Sequence, residues 1–116
     1  MTMRHISALT LAVRDMARSV QFYRRVGLDL SFGGETASFT SFRLGRDSLN
    51  LVLDSSEGPG WWGRAIFRVD GVDELYARLK ERGLEPDVPS DGEWGERYFH
   101  IIDPDGHELS FAEPLV

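Results

Sequence analysis

At 116 residues, 41% hydrophobic and 28% charged, the chain is long enough for one real core and has the composition of an ordinary soluble globular protein. It has no cysteine, which excludes disulfides, thiolate metal sites and cysteine nucleophiles and fits a reducing cytoplasm. The net charge of −6 comes with no basic run to attract nucleic acid, and the apolar run ALTLAV is far too short for a signal sequence or a membrane span.

In chain order, Leu9, Leu11 and Val13 alternate with Ala8, Thr10 and Ala12, the period of a strand with one buried face. The period then changes. Met16, Val20 and Tyr23 mark one stripe of a helix, Asp15 is its expected N-cap, and Gly27 stands where a left-handed residue is wanted at the C-terminus. SFTSFRLG and SLNLVLD follow as strands around the turn GRD, and DSSEGPGWWG reads as a linker.

After the linker the order begins again. RAIFRVDGVDELYARLKERGL (64–84) overlies ALTLAVRDMARSVQFYRRVGL (8–28) without a gap at an offset of 56, placing Phe67 on Leu11, Val72 on Met16 and Gly83 on Gly27. Val72, Leu75, Tyr76 and Leu79 form the second helical stripe, with Asp70 or Gly71 near its start. The strands RYFHIID and HELSFAE, joined by PDG, repeat more weakly at an offset of 60, with Leu109 on Leu49 and Phe111 on Leu51. The reading is α+β: two βαβββ modules, about 5–55 and about 64–114, joined by a linker at about 55–63 within one domain, 1–116. Leu9, Leu11, Phe67, Val69, Leu109 and Phe111 are the expected core.

Residues of the opposite parity face away from the helices. They include Thr10, Phe39, Ser41, Arg43, Asn50 and Val52 in the first module and Arg64, Ile66, Arg68, Tyr98, His100, Ile102, Glu108 and Ser110 in the second. A partly polar set of this kind suits either a solvated sheet surface or the wall of a wettable cavity, and periodicity alone does not separate the two.

The segments LTLAVRDMARSVQFYRRVGL, FRVDGVDELYARLKERG and WGERYFHIIDPDGHELSFAEP resemble the vicinal oxygen chelate superfamily, which groups glyoxalases, bleomycin-resistance proteins and extradiol dioxygenases. The resemblance covers nearly the whole chain. Trp94-Gly95 followed by Arg97 and DPDG leans toward the bleomycin-resistance branch. What it implies is an open, cupped mixed sheet with the helices packed outside, usually completed by a homodimer. In metal-dependent members four positions hold the ion, and they fall here on Ala8, Asn50, Arg64 and Ser110. A methyl, an amide, a guanidinium and a hydroxyl are poor ligands for a divalent cation, so neither metal nor cofactor is expected. His5 has the opposite facing, His107 belongs to the turn, and Glu108 stands two residues early.

Two functional readings remain open. In the first, the protein holds a small molecule without metal, as antibiotic-binding relatives do, using Phe39, Arg43, Asn50, Trp61, Trp62, Arg64, Arg68, Tyr98, His100 and Ser110. Trp61, Trp62, Trp94, Phe39 and Tyr98 are candidate stacking surfaces, although for Trp94 anchoring of its loop beside Gly95 is the favoured alternative. In the second, a lyase or isomerase acts on a small anion, with His100 as catalytic general base and Arg43, Arg64 and Arg68 holding the charge. Arginines paired with Glu96 or Asp54 at the rim are the plainer alternative to an anion site. The expected partners are a small-molecule ligand and a second copy of the chain, with no nucleic acid and no membrane.

Overall fold

The computed structural model describes residues 4–54 and 64–115, so Trp61 and Trp62 lie outside the described residues. The chain divides into two compact units, Met1–Gly58 and Pro59–Val116. The first contains β1 (Ala8–Val13), α1 (Met16–Val26), β2 (Asp29–Phe32), β3 (Phe39–Leu44) and β4 (Asp47–Leu53). The second contains β5 (Arg64–Arg68), α2 (Val72–Glu81), β6 (Ser90–Asp91), β7 (Glu96–Ile102) and β8 (Glu108–Pro114). The expected mixed sheet is present as two four-stranded sheets, ordered β1-β4-β3-β2 and β5-β8-β7-β6. In each, the first strand pairs in parallel with the last and the remaining pairs are antiparallel.

The sequence repeat reappears as strand register. Leu11 lies opposite Leu51, and their repeat equivalents Phe67 and Phe111 lie opposite each other. The two offsets therefore carry one hydrogen-bonded pair onto another. The short strands β2 and β6 were not legible individually. In particular, β6 has only two residues and sits between Pro89 and Gly92, which leave no alternating run to detect.

The core of each unit lies between its helix and its sheet. In the first, Leu11, Val13, Phe42, Leu49 and Leu51 are buried along with Val20 and Tyr23, and Tyr23 meets Phe22 edge-on at 5.0 Å. In the second, Phe111 stacks against Phe67 at 5.3 Å and Phe99 at 5.1 Å, and Tyr76 meets Phe99 edge-on. Each fully buried Leu or Phe contributes about 1.5–3 kcal/mol. Of the six expected core residues, Leu11, Leu109 and Phe111 are buried, while Leu9, Phe67 and Val69 are half-buried. Leu9 and Phe67 belong to β1 and β5, which end their sheets and have a neighbouring strand on one side only.

The two helices start differently. Asp15 is extended and its side chain accepts from the Arg18 N–H at 3.0 Å, the expected N-cap. At α2 the cap residue is Gly71, with φ 83° and no side chain of its own to offer. Glu113 of β8 substitutes for it, accepting from Gly71 N–H at 3.0 Å and Val72 N–H at 2.8 Å. The two helices end alike. Gly27 and Gly83 both have positive φ, and the following residue donates back to Tyr23 O and Leu79 O respectively.

Candidate functional site

On the first module's open face, one cross-strand row runs Thr10, Asn50, Ser41. Ser41 Oγ donates to Asn50 Oδ1 at 2.7 Å, and Asn50 Nδ2 donates to Thr10 Oγ1 at 3.3 Å. The amide thus has both ends engaged by neighbouring strands. Next to this row, Phe39 lies opposite the exposed Val52, and its ring is 6.4 Å from Phe32. Phe32 joins this face because the register shifts between Leu30 and Phe32, leaving Phe32 opposite Ser41. An irregularity of this kind reverses facing locally, so strand parity could not have located Phe32. The chain returns to β3 through Gly33, where a Cβ would lie 2.3 Å from Phe39 O. Only glycine allows that approach. Arg43 is exposed beside Ser48 and Asp29 in register.

The second module's open face differs in chemistry. Its equivalent row is Ile66, Ser110, His100. His100 Nδ1 and Ser110 Oγ are hydrogen-bonded, and the serine is only 3% exposed. Along β7, the Tyr98 ring is centred 5.0 Å from His100 and 5.1 Å from Trp94, tilted 49° and 35° to them. These are ordinary distances for interacting rings, so three rings form one connected surface. Ile66 and Ile102 are also exposed on this face.

Local structure explains the surface. Asp87 N–H donates to His100 O while the Asp87 carboxylate accepts from His100 N–H, fixing the free edge of β7 at the histidine. The turn before β7 is closed by Gly92 N–H to Glu96 O at 2.7 Å. The Trp94 ring lies directly over Gly92, where an added Cβ would stand 2.5 Å from it. Its indole N–H donates to Glu96 Oε1 at 2.8 Å. Trp94 is therefore anchored at one edge, yet it remains 64% exposed and continues the ring series, so the two alternatives read from the sequence coexist. The DPDG motif serves the backbone. Asp103 Oδ1 accepts from Asp105 N–H at 2.9 Å and His107 N–H at 2.8 Å, shaping the β7–β8 turn.

The arginines stand beside carboxylates, as in the plainer alternative, but not beside the two that it named. Arg64 Nε donates to Glu108 Oε2 at 2.8 Å, and Arg68 lies 3.8 Å from Asp70, so neither pairs with Glu96 or Asp54. The reason is register. Glu108 lies directly across from Arg64 on β8, whereas Glu96 is engaged by Trp94. Arg97 donates to Asp91 and Asp73, both at 2.9 Å, and these bonds hold its proton more tightly than usual. In register beside it, Glu113 is held below the usual glutamate range by the Gly71 and Val72 N–H groups. Arg97 and Glu113 share the parity of Phe99 and Phe111, opposite to that of the ring series.

The four positions where relatives hold a metal do not fit one. Ala8 offers a methyl, Arg64 a guanidinium already paired to Glu108, and Asn50 an amide engaged by Ser41 and Thr10. Ser110 offers a neutral hydroxyl bonded to His100. Divalent ions are held by three or four converging carboxylate, imidazole or thiolate donors. Among the described residues no group of three such side chains comes together, and His5 is instead 3.1 Å from Asp47.

Two βαβββ units, each with an open sheet face of mixed chemistry, define a protein of the vicinal oxygen chelate fold. The chain belongs to the glyoxalase/bleomycin resistance protein/dioxygenase superfamily, which it matches over residues 4–111. It is 43% identical over 51 residues to bleomycin resistance proteins of Geobacillus stearothermophilus and Staphylococcus aureus. That stretch is 42% of this chain and 39% of theirs, so the match spans well under half the length of these curated relatives. Among solved structures, a bleomycin resistance determinant encoded on transposon Tn5 shares the fold with a TM-score of 0.82, 22% identity and coverage of 99% of this chain and 100% of that one. A bleomycin-binding protein complexed with bleomycin gives 0.79, 23%, 96% and 98% on the same measures. A lactoylglutathione lyase from Agrobacterium tumefaciens gives 0.77, 23%, 94% and 92%. No described helix is long and apolar enough to cross a membrane.

Proposed function

We propose that this protein is a metal-independent small-molecule binder of the bleomycin-resistance type, and that the open face of its second module carries the main contact with a planar, neutral or cationic ligand. The observation that supports this most is the connected ring series Trp94, Tyr98 and His100, whose outer member is 64% exposed. Aromatic side chains on a sheet face give a flat ligand a large contact area at little cost in side-chain freedom. The charge balance agrees with this ligand class. The chain carries a net charge of −6, and Arg64 and Arg68 each stand beside a carboxylate, so this face does not demand an anion. On this reading Ser110 and Arg64 border the ligand, and Phe39, Arg43 and Asn50 are candidate contacts on the first module's own open face. Trp61 and Trp62 are further ring candidates in the segment outside the described residues.

The enzyme reading rests on the fold and on His100; the carboxylate described against that histidine, Asp87, engages its backbone N–H and not its ring. Titrating bleomycin into chelator-treated protein tests the proposal. Saturable quenching of tryptophan fluorescence that is lost in Trp94→Phe supports it. Binding that appears only on adding a divalent ion, or turnover abolished by His100→Ala, overturns it. We also propose a homodimer, consistent with the apolar Phe32, Phe39 and Val52 exposed on the first module. Sedimentation equilibrium checks this, and a monomer at micromolar concentration contradicts it.

A further inference from the structure

The His100–Ser110 bond carries information about the ligand that the ring series alone does not. We propose that Ser110 fixes His100 in the tautomer with its proton on Nε2, so that the ring offers the bound ligand a hydrogen-bond donor. The ligand group seated there is then an acceptor oxygen on a conjugated framework. This rests on the binding role proposed for the second module.

Hydrogen-bond satisfaction selects the tautomer. A serine hydroxyl has one proton, and a neutral imidazole has one N–H and one lone pair. Ser110 is 3% exposed, and among the described residues its hydroxyl has one partner, His100 Nδ1. If Nδ1 carried the proton and donated to the serine oxygen, the serine's own proton would be buried with no acceptor. A buried unsatisfied donor costs about 1–3 kcal/mol. If Ser110 instead donates to the Nδ1 lone pair, both groups are satisfied and the imidazole proton resides on Nε2. No described residue engages Nε2. The flanking structure holds the residue in place, since Asp87 brackets the His100 backbone and the Tyr98 ring packs 5.0 Å from the imidazole.

The consequence separates two chemistries. A general base needs a lone pair on the nitrogen that meets the substrate, and in this tautomer that nitrogen already holds its proton. Nε2–H can polarise or recognise a carbonyl or amide oxygen but cannot withdraw a proton from a ligand. Ser110 is accordingly a positioning residue that acts through His100. The first module's equivalent row, Thr10, Asn50 and Ser41, has no imidazole, so of these two rows the tautomer-set donor belongs to the second.

Long-range proton–nitrogen NMR of the imidazole tests the assignment in the free protein, at a pH about two units above the ordinary histidine midpoint. A spectrum with a protonated Nε2 and a hydrogen-bonded, unprotonated Nδ1 is expected. Ser110→Thr preserves it, and Ser110→Ala shifts the Nδ1 resonance and leaves the tautomer mixed. A dominant Nδ1–H form in the wild type overturns the proposal, as does an Nδ1 resonance unchanged in Ser110→Ala. The ligand half is tested with acetophenone and α-methylstyrene, two planar probes of the same shape that differ in the acceptor oxygen. Acetophenone is expected to move the His100 Nε2–H signal and α-methylstyrene to leave it in place. Equal shifts from both, or none from either, reject the acceptor assignment. Failure of the bleomycin titration alongside an Nε2–H spectrum would reject the binding role and leave the tautomer standing.

Discussion

The two modules are built to one register and finished with different chemistry. Thr10–Asn50–Ser41 and Ile66–Ser110–His100 occupy equivalent cross-strand rows; side-chain hydrogen bonds join all three members of the first, and only Ser110 and His100 in the second. In the first row the participants are hydroxyls and an amide that bond to one another. In the second, one imidazole takes part through a single nitrogen, with rings extending the surface along β7. Below the sheets the two modules are more alike, since Leu51 and its repeat equivalent Phe111 are both buried in their cores. The buried face thus preserves the repeat because packing demands it, and the open face has been free to diverge.

The sharpest way to break this comparison is at the buried faces. Phe111→Ala is expected to destabilise by about 3–5 kcal/mol and Leu51→Ala by about 2–5 kcal/mol, measured by denaturant unfolding. A small loss for one beside a large loss for the other would show that the modules are not equivalent even in their cores. Next in size is the contrast between the open faces. Trp94→Ala is expected to weaken bleomycin binding about tenfold, close to 1.4 kcal/mol, whereas Asn50→Ala changes it little. Calorimetric titration checks both, and the reverse order would move the site to the first module.

The helix starts offer a finer contrast. Asp15→Ala, which removes a local cap, should cost about 1 kcal/mol. Glu113 has a folded pKa below its unfolded one, so its contribution is fully present above the ordinary glutamate range and disappears as pH falls through the lowered folded value. Glu113→Gln is therefore expected to lower stability at neutral pH and flatten the acid limb of the stability curve, read from thermal melts across pH. The smallest effect is expected at Arg64→Ala. Its ion pair with Glu108 is partly exposed and is worth at most about 1 kcal/mol, so an undetectable change in the melting temperature is the expected result.

Much of this was legible in the residues. The gapless repeat located both helices and their capping glycines, and strand parity separated Leu11, Leu51, Phe99 and Phe111 from the open faces. Parity also placed Phe39, Arg43, Asn50, Arg64, Tyr98, His100 and Ser110 on the outward side. What escaped was whatever depended on a break in regularity or on a distant partner. Phe32 reached the open face through an irregular pairing, β6 was too short to show a period, and Glu113 caps a helix more than forty residues earlier in the chain. Trp94 illustrates a different difficulty. The sequence left it between loop anchor and stacking surface, and its placement over Gly92 while 64% exposed lets one residue anchor the turn and extend the ring surface. The sequence offered Glu96 or Asp54 as rim partners for the arginines, and cross-strand register brings Glu108 to Arg64 instead.

The most direct measurement is a residue-resolved NMR titration of the chelator-treated protein with metal-free bleomycin. The account predicts saturable binding with the largest shifts at Trp94, Tyr98, His100 and Ser110 and smaller ones on the first module. Shifts that bypass those four residues, or binding that waits for an added divalent ion, would contradict it.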